Sequence, residues 1–566
     1  MKKMKKFEIT RKKILLIALF LAVFITGTVL ILIIPFGVKS TYGQTVQTTD
    51  GVTISFNVFE PKRGGVNKKA VILGHGIMSN KEMLKGYAIE LAAAGFVAVP
   101  FDFRGHGQST GELDRGSLTT DINAIISYLN SRSDINTSAL GYFGFSMGGF
   151  PGIQIVNSST NFKCFIGAAT WLPEEVRKGN STDPLNILMI VGRYDELIKP
   201  EDLKIGLSNY TGIPIPDLDV NKLYGSFQDG NAAMIYLDDN SNHVLGDWDP
   251  DFIRETRNFV MNTFPDVKPV DENFYANIRL LILFIQLLGG FGFFLLIVDP
   301  LSKLLLKPKE NEVFKIQLEG ESIRSLSIKT LSYSLSLGVP GILIFVPIIL
   351  LLYLATAGFV LALLFGQAFG FLLLLWRLGK KIDMSLISIL KKPFQGSKNN
   401  VIRHFLLGII LAIISSVIIY LSGGLNYMGM VPSLVKIPWL FLIIPLTFVI
   451  FMVFSLLMQG ILQNKFNRGI RDLVKVSLLQ FGLLFSFMFT YLLIISLAMN
   501  SFFYFGSFLP FAIPLFLLVS VFSTIIYQKS GNIIAGAIVV TLFFTLLICT
   551  ISPYQSGLSF IMGFFH

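Results

Sequence analysis

Beyond residue 277 the chain consists of apolar runs too long for a water-soluble fold, and they limit what the rest can be. Eight stretches of about 20 residues, the length that crosses a bilayer as a helix, lie near 277–299, 331–353, 355–376, 404–423, 437–459, 476–499, 507–527 and 532–552. A ninth, near 14–36, follows Lys2, Lys3, Lys5, Lys6, Arg11, Lys12 and Lys13. It is longer than the apolar core of a cleaved signal peptide, and residues 33–38 offer no small-residue cleavage site, so it reads as an uncleaved anchor. The 52% hydrophobic and 15% charged composition is therefore concentrated outside residues 37–276, which have the mixed character of a globular domain. The expected organisation is a basic N-terminus and transmembrane anchor over 1–36, a soluble domain over 37–276, and a polytopic domain of about eight helices over 277–566.

Charge divides along the same line. Residues 36–276 hold 20 Lys and Arg against 28 Asp and Glu, a net of −8, and the remainder holds 27 against 8, a net of +19. The overall +11 thus belongs to the membrane flanks and excludes nucleic acid as the implied partner; membrane lipids take that place. Alternate loops carry the basic residues: Lys303, Lys307, Lys309, Lys315, Arg324 and Lys329, then Arg377, Lys380, Lys381, Lys391, Lys392, Lys398 and Arg403, then Lys465, Arg468, Arg471 and Lys475, and lastly Lys529. The intervening loops offer little beyond Lys436. Cytoplasmic loops are enriched in Lys and Arg, so the N-terminus is expected in the cytoplasm and the soluble domain outside it, in a multi-pass protein of the cell membrane. Arg279 and Asp299 stand only at span ends. Charges inside a span mark ion and proton pathways, and their scarcity argues against a proton-coupled transporter and favours an anchor or scaffold.

Within the soluble domain short apolar strands alternate with helices. Strands are predicted over 52–59, 70–73, 96–101, 139–143, 163–169, 188–191 and 233–237, and helices over 81–94, 118–129, 147–156 and 252–262. The pattern predicts an α/β class, a doubly wound, mostly parallel sheet, followed by the all-α multi-span region. Reactive groups in such sheets lie beyond the carboxyl ends of the strands. Four segments occupy those positions: His75-Gly76-Ile77, the pentapeptide Gly144-Phe145-Ser146-Met147-Gly148, Asp195 and His243. The pentapeptide has the form G-x-S-x-G, in which small neighbours let a serine sit on a sharp strand-to-helix turn. The order Ser, Asp, His completes the pattern.

With these motifs the chain resembles the α/β-hydrolase superfamily over roughly residues 45–265. Asp102-Phe103-Arg104-Gly105-His106-Gly107-Gln108-Ser109 is similar to the loop of its monoacylglycerol-lipase, dienelactone-hydrolase and serine-aminopeptidase-like branches. The resemblance implies Ser146 as nucleophile, His243 as base and then acid, Asp195 as the group orienting it, and the amides of Ile77 and Met147 as an oxyanion hole. It implies no cofactor and no metal, and a small acyl ester, a lipid-derived ester or a short peptide as substrate. His75 and His106 remain alternatives for the base, and Glu196 for the acid. His75 and Trp171 are candidates to line the substrate site. Many relatives insert a helical cap between the strands ending near Thr170 and starting near Asn186; here only residues 171–185 lie between, room for a small flap.

Overall fold

The computed structural model describes residues 10–306 and 313–562. Lys2, Lys3, Lys5, Lys6, Lys307 and Lys309 lie outside the described residues. A first helix, α1 (Arg11–Ile33), leads into an eight-stranded sheet. Its strands are β1 (Val38–Gln47), β2 (Thr53–Pro61), β3 (Lys68–Gly74), β4 (Val97–Phe101), β5 (Ile135–Phe145), β6 (Phe162–Ala168), β7 (Asn186–Gly192) and β8 (Ala233–Asp238). The spatial order is β1-β2-β4-β3-β5-β6-β7-β8. Strand β2 alone runs against the others. Five helices connect the strands: α2 (Lys85–Ala93), α3 (Leu118–Asn130), α4 (Gly149–Ser158), α5 (Pro200–Thr211) and α6 (Pro250–Thr263). Strand β7 is buried along its whole length, as a parallel strand covered on both faces should be. Apolar side chains of α3, α4 and α5 pack on one face of the sheet, and those of α2 and α6 on the other.

Three local expectations need correction. The first strand was predicted over 52–59, but edge strand β1 (Val38–Gln47) precedes it. Its alternating exposure, with mostly polar residues, gives too little apolar signal to read, and pairing with β2 supplies the order. Helix α2 starts four residues later than predicted, because residues 81–84 form a turn that sends Lys81 inward. Met147 does not open an α-helix directly; a 3₁₀ turn over Ser146–Gly148 precedes α4.

The chain continues through α7 (Ala276–Leu305), α8 (Ile323–Leu351), α9 (Ala355–Lys380), the short α10 (Leu386–Lys391), α11 (Lys398–Ile419), α12 (Ile437–Leu457), α13 (Ile470–Ala498), α14 (Phe503–Ser530), α15 (Ile534–Ile551) and the short α16 (Gly557–Met562). Among the described residues nine helices, α1 included, are long and apolar enough to cross a membrane, which makes this a multi-pass protein. Small residues bring helices together, as is usual in lipid. A Cβ on Gly289 of α7 would lie 2.6 Å from the Phe24 backbone nitrogen of α1. Arg279 donates to Ile31 O and Ile34 O, each at 2.8 Å, satisfying carbonyls that the end of α1 leaves open.

The sheet domain rests on one end of this bundle through the loops at the carboxyl ends of its strands. Asn80 Nδ2 donates to Met428 O (2.7 Å), and Lys85 Nζ to Asn426 Oδ1 (2.7 Å). Gly105 O accepts from Tyr554 N (2.6 Å), Gly107 O from Ser433 N (3.0 Å), and Trp248 Nε1 donates to Tyr427 O (2.9 Å). At the far end Glu321 bridges Lys329 and Lys381, and Asp299 pairs with Lys13 and Lys303. The edge of the sheet where reactive groups gather therefore faces the bundle.

Candidate active site

Strand order reverses between β3 and β5, and the crevice above that switch point is where ligands bind in open α/β sheets. Ser146 stands there, at the end of β5, with φ +47°. A left-handed backbone is strained for a residue with a side chain and persists only where the surroundings enforce it. Here they do: a Cβ on Gly148 would lie 2.8 Å from His75 O, and one on Gly144 2.5 Å from the Gly149 Cα. The turn closes because both positions are glycine.

Three groups from three strand ends meet at this turn. Ser146 Oγ lies 2.9 Å from His243 Nε2. His243 Nδ1 lies 3.0 and 2.9 Å from the two carboxylate oxygens of Asp195. Asp195 Oδ1 also accepts the amides of Leu197 (2.8 Å) and Ile198 (2.9 Å), which fix the carboxylate against rotation. An ionised carboxylate only accepts, so Nδ1 carries the proton and Nε2 is left to accept from the serine. Asp195 and His243 are buried, and Ser146 is half-buried. Glu196 takes a different position: its carboxylate accepts from the His243 backbone N (3.3 Å) and Asn242 Nδ2 (3.4 Å), not from the imidazole. Burial pushes its carboxyl above the usual carboxylate range.

The other two histidines belong to the loops behind the serine. His75 was a candidate to line the substrate site, but it is fully buried, with Nδ1 2.7 Å from Gly76 O and Nε2 accepting from Phe103 N at 3.1 Å. Both ring nitrogens are taken up by backbone partners, so the ring holds the loop and is not exposed at the site. Burial pushes it down to about 4, against the pull of Asp102. His106 lies 2.7 Å from Ile77 O and 3.0 Å from Arg104 O, tying the 102–109 loop to the segment of Ile77; burial and then His75 push it down to about 3. Neither is hydrogen-bonded to Ser146. A Cβ on Gly76 would lie 3.4 Å from Ser146 Cβ, so the segments carrying the Ile77 and Met147 amides meet at the serine.

A buried ion pair supports the same loops. Lys81 Nζ donates to Asp102 Oδ2 (2.5 Å) and Gln108 Oε1 (2.9 Å), and Asp102 also accepts the amides of Lys81 and Gln108. Burial alone would lower the lysine and raise the acid. Each instead holds the other in its charged form. Trp171 stands beyond β6 with 56% of its surface exposed, and residues 171–185 hold no helix. Among the described residues the group of carboxylates closest to a metal site is Asp238, Asp249 and Asp251. Local structure already uses all three: Asp238 accepts the amides of Asn240 and Ser241, Asp249 caps α6 and accepts from Ser241 Oγ, and Asp251 pairs with Arg254.

Two neighbours of the site come from the bundle and have no local sequence signal. The Phe503 ring at the start of α14 stands edge-on to His243, with centroids 5.6 Å apart at 80°. Gly506, one turn on, lies so close to Glu196 that any Cβ would overlap its carboxylate. Only the folded chain brings these spans to a motif some 260 residues earlier.

Comparison with known proteins covers the same region. Residues 65–203 match the family described as serine aminopeptidase, S33. The chain is similar to an uncharacterised 31.7 kDa protein of the traX-finO intergenic region of Escherichia coli, 28% identical over 134 residues, 23% of this chain and 45% of that protein. It is similar to polyketide transferase claH of Penicillium crustosum, 28% identical over 106 residues, 18% of this chain and 34% of that protein. The chain thus spans less than half the length of these relatives. Among solved structures it is similar to an esterase from Pyrococcus furiosus, with 17% identity, a TM-score of 0.31, and coverage of 40% of this chain and 92% of that one. An esterase from Exiguobacterium antarcticum gives 15% identity, a TM-score of 0.29, and coverage of 39% and 99%.

Proposed function

From a chain that joins an α/β-hydrolase domain to a multi-pass membrane bundle, we propose a membrane-bound serine hydrolase that cleaves carboxylic esters, small or lipid-derived, outside the cytoplasm. The observation that carries this reading is the continuous hydrogen-bonded line from Ser146 through His243 to Asp195, with the serine held at positive φ. In the proposed reaction Ser146 Oγ attacks the ester carbonyl as His243 Nε2 takes its proton. The Ile77 and Met147 amides receive the oxyanion; losing one such donor typically costs about 10²–10³ in rate. Collapse breaks the bond to the alkoxy oxygen, which leaves with the proton from Nε2. Water then attacks the acyl-serine with His243 again as base, releasing the acid and restoring Ser146. Asp195 keeps the imidazole in the required tautomer and stabilises the imidazolium.

The outside location rests on the basic residues at the far end of the bundle. A cysteine-accessibility experiment on Arg63→Cys in intact cells tests it; labelling only after lysis would reverse the topology. The chemistry is tested by fluorophosphonate labelling and p-nitrophenyl ester turnover of the full-length protein, wild type against Ser146→Ala. Equal activity in the two would sink the proposal. A second reading, cleavage of short peptides, has specific support in the S33 family match, and it shares every step to the acyl-serine. Aminoacyl amides turned over faster than esters in the same assay would select it.

A further inference from the structure

The site lacks the helical cap that would enclose an acyl group, since residues 171–185 carry no helix. Something else stands over it. The first turn of α14 brings Phe503 onto the His243 ring and Gly506 against the Glu196 carboxylate. Trp248, five residues past His243, is held between Tyr427 O (2.9 Å) and the Phe511 ring of α14, with centroids 5.7 Å apart. The His243 loop is therefore clamped by a helix long and apolar enough to span the membrane. That helix also turns a second face outward, where Ile513 and Leu517 are exposed, as is Phe502 at its N-cap.

The strand ends around the site also carry exposed aromatic side chains. Phe150, one turn after Ser146, Trp171, next to Thr170 at the end of β6, and Tyr194, next to Asp195, are 64%, 56% and 62% exposed. All three project from the sheet edge that faces the bundle. Large aromatic side chains are rarely left together in water, whereas Trp and Tyr collect where a bilayer meets it. That edge is the one whose loops meet the bundle end, so the occupant of the rim is a bilayer surface.

We propose that the first turn of α14, residues 503–506, roofs the catalytic mouth, and that the rim of Phe150, Trp171 and Tyr194 rests in the headgroup zone, so that the site takes esters whose acyl chain stays in the bilayer. This rests on the serine-hydrolase reading above. It accounts for a hydrolase domain without a helical cap over 171–185: the hydrocarbon phase takes the acyl chain, and the carbonyl rises to Ser146 beneath Phe503. Specificity then depends on whether the substrate partitions into lipid, with the roof excluding water from the reacting carbonyl.

The test uses the full chain in phosphatidylcholine vesicles, with p-nitrophenyl acetate as the water-soluble ester and p-nitrophenyl palmitate in the bilayer. Wild type should favour palmitate in kcat/KM, and Phe503→Ala should lower the palmitate-to-acetate ratio about tenfold, the scale of a lost hydrophobic contact in a pocket. A ratio unchanged within about twofold, with Ser146 still labelled by a fluorophosphonate, overturns the roof alone. Independently of turnover, lipids brominated on the acyl chain should quench the emission difference between wild type and Trp171→Phe. An unquenched difference overturns bilayer contact at the rim. If the wild type neither labels nor hydrolyses either ester, the serine-hydrolase reading itself fails and takes the roof with it.

Discussion

In the sheet domain several buried charges are met by buried charge: Lys81 with Asp102, Arg104 with Asp121, and Arg257 with Glu90. In the bundle interior the buried polar groups are mostly amides and hydroxyls. Gln286 donates to Thr28 Oγ1 and Leu421 O, Gln367 to Leu483 O and Leu484 O, and Gln459 to Gln480. Among the described residues two cations, Arg279 and Lys436, are buried in the bundle, both toward the end that carries the sheet domain, and both bind open helix-end carbonyls, Lys436 those of Thr550 and Ser552. The contrast follows from the surroundings. Near water an ion pair with further hydrogen bonds offsets its desolvation, whereas in hydrocarbon an ion is costly enough that neutral donors and acceptors replace it. The candidate site therefore lies where buried ions have partners, and the bundle interior is built from neutral ones.

The largest expected effect tests whether charge at the site is needed as charge. Asp195→Asn keeps the shape but lets the amide stabilise the wrong histidine tautomer, and kcat on p-nitrophenyl acetate should fall about 10⁴-fold. A loss under tenfold would mean that another group, Glu196 first, orients the ring. Next comes the buried pair. Lys81→Met leaves Asp102 charged without its partner and should cost about 3–5 kcal/mol in denaturant unfolding. Lys81→Met combined with Asp102→Leu should recover much of that loss. If the double variant is as unstable as the single, the pair stabilises by more than cancelling its own desolvation.

How far the sequence alone carried this picture depends on whether the determinant is local. The serine turn was legible because its G-x-S-x-G form fits in five residues, although what holds Gly148, His75 O, lies far off in sequence, and Asp195 and His243 were legible as polar residues at the ends of apolar strands. The spans were legible from length alone. Strand β1 was not, since an edge strand with half its side chains in water carries little apolar signal. Neither was the role of His75: a histidine on a loop beside a nucleophile looks the same from sequence whether it faces the site or, as here, bonds Gly76 and Phe103 in the interior. Phe503 could not be found at all, because phenylalanine in an apolar span has no distinguishing mark and its meeting with His243 is a tertiary event.

Asp247 is a buried carboxyl of the domain outside those ion pairs. Its Oδ1 is buried without a hydrogen-bond partner, and burial pushes the carboxyl up to about 7, against the pull of Ser79 and His243. The folded protein thus holds a proton that the unfolded chain, titrating near 4, releases. Stability from this group is full below about pH 4 and falls as pH rises toward 7, by up to roughly 4 kcal/mol at about 1.4 per pH unit. Asp247→Asn removes the titration, so the variant should gain on wild type as unfolding is measured from pH 5 to pH 8. A constant difference across that range would mean that Asp247 is already ionised, with a partner or water at Oδ1.

The smallest effect comes from making the Lys81 replacement again in the other medium. Gln480 Oε1 accepts from Gln459 Nε2 (2.7 Å) and Thr524 Oγ1 (3.0 Å), joining α13 to α14 and to the turn that extends α12. Gln480→Met leaves both donors without that acceptor, in a place water does not reach. The loss should nonetheless be only about 0.6–1.7 kcal/mol, because polar groups of a bundle still find partners when the helices separate within the membrane. Thr524 can also turn its hydroxyl to the carbonyl four residues back, as Thr447 does to Ile443 O and Thr490 to Ser486 O. Unfolding in bicelles measures this directly. A loss as large as that of Lys81→Met would mean that the amide network, more than apolar packing, holds α12, α13 and α14 together, and the roof that α14 places over His243 would then depend on Gln480.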